Sequence, residues 1–498
     1  MIEEKKYYLD TFGVDENKLE GLVAEALRSG GDYADLFFEN TASTDLLLRD
    51  GQVGSGGFNI DFGVGIRVLK GEKTGYAYSE STDPRSMMAA ATAAAAIAEG
   101  RCAGNPAVMK TGPDTTKAGP GTTSEGPTPS YGFKGRPNPA ADRYPMTSDW
   151  RLADKGAMAG FLMRLDEGIR AKDPSAVKVI AMLSGQVTDV LMFNSLGELK
   201  YDTRPMGSVS VQVIYERGGQ TRSTNAGRSW RTGVEMLTDG LLTTLIEQAT
   251  EGVDECFAAI HPKGGEMSVV MGAGASGILL HEAMGHAFEA DFNRKGQSIF
   301  ADAMGQKVCR EGITIVDDGT IRGNRGAVNY DDEGVPGQYT AMVEDGVLTS
   351  YLHDRISAAW YGVRPTGNGR RESFRYQPIP RRRATYMLGG QEHPQDIIAS
   401  VRRGIYVDKF ANGQVKIGEG DFTFYVKNGF LIENGRLTAP VADINIIGNG
   451  PRALADISMV GADPLIDDGT WTCGKEQSVP VSCGIPTVKV DKLIVGGN

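Results

Sequence analysis

The sequence predicts an α+β, strand-rich chain of several domains. We expect N-terminal units of the α/β sandwich type and a β-rich C-terminal metal-binding domain. Its 498 residues are more than one hydrophobic core usually organises. Many short runs are rich in β-branched and aromatic residues and end at Gly or Asp-Gly turns, as strands do. A few longer segments instead repeat apolar residues with the period of a helix.

The first predicted domain covers residues 1–103. Asn17 is expected to cap a helix whose apolar face is formed by Leu19, Leu22, Val23, Ala26 and Leu27. The strands predicted to follow are 33–38, 44–48, 63–69 and 75–79. Asp83–Ala98 is an alanine-rich helix, and its small-residue run is too short to span a bilayer. We therefore expect no membrane partner.

A segment of biased amino-acid composition lies between the first predicted domain and two further ones. Residues 104–145 are rich in Pro, Gly, Ser and Thr without periodicity, which predicts a loop or insertion. The middle domain, 146–255, is predicted to hold a helix near 148–170, strands through 177–215 and a helix near 234–251. The C-terminal domain, 256–498, contains Asp345-Gly346 and Asn434-Gly435 between apolar runs, which predicts two hairpins.

Net charge and cysteine content bear on two questions, which are whether the protein binds nucleic acid and where in the cell it acts. The formal net charge is −11, so no overall positive field favours nucleic acid. Five scattered cysteines form no disulfide framework, and the first residues contain no apolar signal-peptide core. We therefore expect a cytoplasmic protein.

The stretch His281-Glu282-Ala-Met-Gly285-His286 holds most parts of a hydrolytic zinc site. Neutral imidazoles bind zinc, and a glutamate beside the first can take a proton from a water that the metal activates. The five-residue spacing separates the histidines by roughly 140° on an ideal α-helix. A π-type turn would bring them together, and Gly285 would permit it. The alternative is a buried helix in which one histidine packs and the other is solvated.

A zinc site needs a third protein ligand, and the residues leave several candidates open. Thiolates are strong zinc ligands, and Cys473 stands in a glycine-flanked turn, but most lone cysteines are core residues. The full set of candidates is Glu289, Asp291, Cys309, His353, Cys473 and Cys483.

Two other patterns suggest different functions. Gly272–Gly277 follows a predicted strand as Gly-x-Gly-x-x-Gly, with Asp291 downstream, as in dinucleotide-binding folds. The segment around Asp291 resembles a helix end rather than a second strand, so a tight strand-to-helix turn explains the glycines better. The basic loop with Arg370 and Arg371 could contact nucleic acid, be solvated, or hold a substrate oxygen near the metal.

The motifs together resemble the TldD/PmbA family of metalloproteases. The resemblance is dense from about residue 266 to 496. The segments that carry it are 274–291, 331–334, 364–373, 431–435, 447–450 and 473–480. It implies zinc held by His281, His286 and Cys473, with Glu282 as catalytic acid/base. Because this chain keeps the histidine motif, it is similar to the catalytic TldD-like branch and not to the PmbA-like partner.

The resemblance and the residues predict one function. We expect a zinc metallopeptidase that cuts extended or unfolded peptides, with a zinc-activated water and Glu282 as general base/acid. The family implies a homodimer or a heterodimer with a PmbA-like subunit. Arg370, Arg371 and His353 are predicted to contact substrate. The alternative is a metal-stabilised scaffold or partner subunit without turnover.

Overall fold

The computed structural model describes residues 2–100, 142–144, 146–416, 418–442 and 444–496. The predicted insertion at 104–145 therefore lies almost wholly outside the described residues. The chain divides into two compact units. The first takes in the described residues of Met1–Phe38, Phe62–Ala140 and Leu191–Tyr201, and the second takes in the rest.

In the first unit, three helices enclose an apolar core. They are α1 (Ile2–Phe12), α2 (Glu16–Leu27) and α3 (Pro84–Glu99). The cap of α2 is Asp15, whose carboxylate accepts a hydrogen bond from the Lys18 backbone N–H at 2.8 Å, so the prediction of Asn17 as cap was wrong. The buried core includes Phe12, Leu19, Leu36, Ile66 and Ala94.

A six-stranded sheet has the order β3-β2-β1-β4-β5-β6, in which β2 pairs with β3 and β5 pairs with β6 in antiparallel direction. Its strands are β1 (Tyr33–Arg49), β2 (Gln52–Lys70), β3 (Lys73–Ser79), β4 (Ala176–Asn194), β5 (Leu199–Arg217) and β6 (Gln220–Trp230). The two strands predicted at 33–38 and 44–48 are one strand. The polar residues between them do not end it, because Glu39 is buried and accepts a hydrogen bond from the Phe374 N–H at 2.7 Å.

The second unit begins its helical part with α4 (Lys155–Lys172), α5 (Asp239–Thr250) and α6 (Val253–Ala258). The first two are capped by the side chains of Asp154 and Thr238. Both were predicted to begin earlier, where the structure instead has short 3₁₀ turns at Trp150–Leu152 and Val234–Met236. Trp150, Phe161 and Leu245 lie in the core beneath them.

A second sheet of this unit closes on itself. Its strands are β7 (Gly265–Met271), β14 (Arg403–Val415), β15 (Asp421–Glu433), β16 (Arg436–Val441), β17 (Ile444–Asn449), β18 (Ile457–Val460) and β23 (Val488–Gly496). The order β14-β7-β23-β17-β15 returns to its start because β14 and β15 also pair. The largest apolar core of the described chain includes residues of these strands.

A third sheet has the order β10-β9-β8-β13-β22-β19. Its strands are β8 (Ile315–Asp318), β9 (Tyr339–Glu344), β10 (Val347–Leu348), β13 (Ala384–Met387), β19 (Leu465–Asp467) and β22 (Ser482–Ile485). Two small hairpins are β11 (Gly369–Arg370) with β12 (Ile379–Pro380), and β20 (Thr472–Lys475) with β21 (Gln477–Pro480). The remaining helices are α7 (Ile278–Leu280), α8 (Ala290–Arg294), α9 (Arg355–Tyr361), α10 (Pro394–Ala399) and α11 (Gly450–Ala455).

Both predicted hairpin turns are confirmed. Asp345 and Gly346 have φ of 49° and 81°, and Asn434 and Gly435 have φ of 52° and 77°. Two consecutive left-handed residues are typical of the type I′ turn that joins twisted antiparallel strands. Among the described residues, no helix is both long and apolar enough to cross a bilayer.

Candidate metal centre

A helical segment, which we call the site helix (residues 275–288), follows strand β7. It consists of a 3₁₀ turn, α7, a π turn over His281–Gly285 and a second 3₁₀ turn over His286–Phe288. The glycines before it have structural roles. Gly274 has φ of +89°, and a Cβ at Gly277 would lie 2.6 Å from the Gly484 nitrogen. They provide the tight strand-to-helix turn and the close packing of the helix on β22.

The π turn brings the two histidines to the same side of the helix, as the spacing predicted. Their ring centroids lie 5.8 Å apart. The role predicted for Gly285 in permitting the π turn stays a prediction; its φ is −54° and its ψ is −73°. A Cβ at this position would lie 1.9–2.3 Å from three guanidinium atoms of Arg382. The missing Cβ therefore also leaves room for the close approach of Arg382.

The structure brings Cys473 to the two histidines. One ligand atom from each of His281, His286 and Cys473 lies within 4.8 Å of the other two. The Cys473 Sγ is 3.4 Å from His286 Nε2. Within the described part of the chain, this is the only group of three or more His, Cys, Asp or Glu side chains close enough to share a metal. Two imidazoles and a thiolate fit zinc, with a fourth position left for water or substrate.

Cys473 lies on the hairpin β20–β21, which we call the thiolate hairpin (residues 472–480). Arg381 fixes this hairpin with its guanidinium, which donates to the Cys473 carbonyl at 2.6 Å and the Gln477 carbonyl at 2.8 Å. Glu372 adds a second attachment, since its N–H donates to Gln477 Oε1 at 2.8 Å and its carboxylate accepts from the Ser478 N–H at 2.6 Å. These bonds hold the thiolate against the site helix.

Neighbouring charges shift the pKa values of two of these side chains. Burial raises the pKa of the Cys473 thiol, but the two imidazoles, His281 first, outweigh it and bring the pKa to about 3. Burial lowers the pKa of His286, but the Glu289 carboxylate and the Cys473 thiolate outweigh it and raise the pKa to about 9. The sulfur is therefore a thiolate at neutral pH, which is the form that binds zinc.

Glu289 supports the centre without joining the cluster. Its Oε2 lies 2.8 Å from His286 Nδ1, which turns Nε2 towards Cys473. The same Oε2 accepts a hydrogen bond from Lys475 Nζ at 2.8 Å, and Asp291 accepts another from this nitrogen at 2.8 Å. Burial raises the pKa of Glu289, but Lys475 and His286 reverse this and hold it well below its usual value. A carboxylate behind a ligating histidine is the usual support of a zinc site.

The other candidate ligands lie in apolar surroundings. Burial raises the pKa of the Cys309 thiol to about 12 and lowers the pKa of His353 to about 4. The His353 ring packs between those of Tyr351 and Tyr361. Cys483 is buried in β22. These residues are of the types that bind metals, so only their positions in the fold distinguish them from Cys473.

The three residues predicted to contact substrate are all buried. The Arg371 N–H donates to Asp332 Oδ2 at 2.8 Å, and its Nη2 donates to the Asp332 carbonyl at 2.9 Å. The Arg370 guanidinium donates to the Arg382 carbonyl. Their role in substrate binding, and that of His353, stays a prediction.

Three residues around the centre were missed in the sequence. Arg381 and Lys475 hold the thiolate hairpin and Glu289, and Arg382 fills the space beside Gly285. Lys475 could have been found, because it lies two residues after Cys473 and alternate strand residues share a face. The Arg382 guanidinium is fully buried, and none of its nitrogens has a hydrogen-bond partner among the residues whose side chains the structure describes.

Family models of three consecutive domains match this chain. The PmbA/TldA metallopeptidase domain 1 matches residues 34–98, the central domain matches 148–253 and the C-terminal domain matches 264–497. This chain belongs to the PmbA/TldD family. The C-terminal model covers both the site helix and the thiolate hairpin.

Relatives across the family carry metalloprotease names. A Haemophilus influenzae protein named metalloprotease TldD homolog is 39% identical over 473 residues, covering 94% of this chain and 93% of the relative. A Saccharolobus solfataricus protein named zinc metalloprotease TldD homolog is 34% identical over 238 residues, covering 47% and 53%. The chain is thus a member of a protease family.

The fold of a family member solved by crystallography is similar. TldE from Thermococcus kodakarensis superposes with a TM-score of 0.70 at 20% identity, covering 96% of this chain and all of that one. This similarity and the described sheets confirm the predicted strand-rich α+β fold of several domains.

Proposed function

We propose that this chain is a zinc-dependent peptidase that hydrolyses peptide bonds in extended or unfolded peptides. The observation that carries the proposal is the buried cluster of His281, His286 and Cys473 on a π turn in which Glu282 directly follows the first ligand. The family's metallopeptidase models and the relatives' names support the same chemistry.

Zinc held by these three side chains would lower the pKa of a water towards neutrality and polarise the substrate carbonyl. The chain's own side chains transfer the protons and hold the ligands in position. Glu282 takes the proton of the attacking water and returns it to the leaving amine. Glu289 keeps the proton of His286 on Nδ1, so Nε2 is free to bind the metal. Arg381 keeps the Cys473 strand in place.

The proposed substrate class follows from the strand-rich C-terminal domain. An extended peptide that adds to a strand edge makes main-chain hydrogen bonds, which carry little sequence preference. We therefore expect cleavage of unfolded polypeptide and poor cleavage of the same sequence inside a folded domain. Equal rates on both would contradict this part of the proposal.

The decisive experiment is Glu282→Gln. It removes the proton acceptor but none of the proposed ligands, so zinc should remain near one per chain while peptide cleavage falls by at least about 10²-fold. Metal content by mass spectrometry and release of a fluorescent peptide fragment are measured on the same samples. A parent protein that binds zinc but cuts no peptide would favour the scaffold alternative. Cleavage by the variant at the parent rate would remove Glu282 from the mechanism.

Assembly and location form a separate proposal. We propose a cytoplasmic homodimer or a heterodimer with a PmbA-like subunit, supported by the structural similarity to TldE. Light scattering of the purified chain, alone and mixed with a PmbA-like protein from the same cell, distinguishes the two. A monomer that stays monomeric in the mixture would contradict both.

A further inference from the structure

Lys475 is a buried cation at the edge of the metal centre. Its side chain is 3% exposed, and its Nζ contacts three acceptors: Glu289 Oε2 at 2.8 Å, Asp291 Oδ1 at 2.8 Å and the Pro380 carbonyl at 3.2 Å. The nitrogen also lies 4.4 Å from the centre of the Phe292 ring. A lysine without water around it needs such compensation, so these contacts define one position for the ammonium group.

The same strand supplies Lys475 and Cys473. Both belong to β20, and residues two apart on a strand point to one face. The thiolate meets His286 Nε2 on one side of the imidazole, while Lys475 reaches the carboxylate that holds Nδ1 on the other. The thiolate hairpin therefore contacts His286 twice, once directly and once through Glu289.

We propose that Lys475 is a positioning residue for zinc binding, and that it acts through Glu289 on His286. This rests on the proposed metal centre. The fully buried Glu289 has its nearest other cation in Arg381, whose Nε is 3.9 Å away. Without Lys475, the Glu289 carboxylate loses its 2.8 Å ammonium partner and keeps His286 Nδ1 at 2.8 Å and Arg381 Nε at 3.9 Å. The carboxylate is then fixed by fewer contacts, so the bond that holds the His286 ring and its Nδ1 proton is weakened.

The test measures the zinc dissociation constant by competition with a chromophoric chelator. Lys475→Met keeps an unbranched apolar chain over Phe292 and removes the ammonium. Loss of support behind a ligating histidine typically weakens metal binding by about 10–100-fold. We expect that range for Lys475→Met, together with an altered visible spectrum of the cobalt-substituted protein. Parent affinity and spectrum in this variant would overturn the proposal.

A double substitution shows whether Lys475 acts through Glu289. Once Glu289→Gln has removed the carboxylate, adding Lys475→Met should change zinc affinity less than threefold. Equal losses from Lys475→Met in both backgrounds would refute the route through Glu289. Lys475→Met alone takes the ammonium partner from two carboxylates, which costs stability, whereas the double variant removes both members of the Lys475–Glu289 pair. The comparison of zinc affinity between Glu289→Gln and the double variant therefore still tests the route through Glu289.

One control separates this inference from a simpler explanation. Lys489→Met removes a lysine paired with Asp491 at 3.4 Å on β23 and should leave zinc affinity unchanged. A tenfold loss in this control would mean that general charge, and not the route through Glu289, sets the affinity. A parent protein that binds no zinc would refute the proposed metal centre itself, which is a different outcome.

Discussion

Gly285→Ala tests whether the site helix depends on close approach by Arg382. The new methyl group would lie 1.9 Å from Nη1, 2.0 Å from Cζ and 2.3 Å from Nη2 of that guanidinium. Atoms of this kind rest about 3.5–4.0 Å apart, so helix and guanidinium must separate by roughly 1.5 Å. Arg382 is fully buried, so its guanidinium can move only as far as the surrounding packing allows.

The magnitude follows from the cost of overpacking. Extra carbon atoms in a packed core typically cost about 1–3 kcal/mol, and here the atoms that must shift are the far end of the Arg382 side chain. At about 2 cal/mol/K of unfolding entropy per residue, such a loss in a unit of several hundred residues lowers the melting temperature by roughly 1–4 °C. We expect that shift in the zinc-free protein. We also expect weaker zinc binding, because the displaced helix carries both histidines.

The assay is a cycle of four proteins: the parent, Gly285→Ala, Arg382→Ala and the double variant. Residues in contact usually couple by about 0.5–3 kcal/mol. Because Arg382→Ala removes the group that the methyl meets, Gly285→Ala should cost less than half as much in that background. The reasoning is refuted if Gly285→Ala costs the same in both backgrounds, since the glycine would then be needed for the backbone of the π turn.

Three further predictions concern ligands, protons and the buried arginines. Cys473→Ala should lower the zinc content measured by mass spectrometry at least tenfold. Cys483→Ala changes an equally buried cysteine and should leave the zinc content unchanged. An unchanged zinc content in both variants would exclude the Cys473 thiolate as a ligand. The pKa of His286 is raised from 6.5 to about 9, so its charge stabilises the zinc-free fold below pH 6.5 and this stabilisation is lost as pH rises through 9. Zinc must displace that proton, so zinc affinity should rise with pH up to about 9. Calorimetry in two buffers should therefore show that zinc binding releases about one proton from His286 near pH 7.5 and none above pH 10. Arg371→Met should lower the melting temperature because it removes the guanidinium bond to the Asp332 carbonyl, and a higher KM with unchanged melting would instead support substrate contact.

The residues predicted correctly from the sequence are those whose spacing carries geometric information. The five-residue separation of His281 and His286 allows one metal only if the helix changes pitch, and the π turn does this. The Asp345-Gly346 turn likewise determines its own backbone geometry. The position of Cys473 could not be predicted in this way, because the residues next to it in the sequence do not indicate which helix its strand packs against. The contact between Gly285 and Arg382 could not be predicted either, since Arg382 is almost a hundred residues away.

The surroundings of the centre explain why the two carboxylates nearest in sequence are poor metal ligands. Glu289 and Asp291 share the buried ammonium of Lys475, so each would have to give up an ion pair before it could bind a cation. The Cys473 sulfur lies beside the imidazoles of His281 and His286, and a thiolate there gains from a soft metal. The resulting set of one sulfur and two nitrogens favours zinc over manganese or magnesium, which prefer oxygen. Zinc should therefore displace manganese in direct competition at equal concentrations, and a site that retains manganese would show that Glu289 or Asp291 leaves Lys475 to bind the metal.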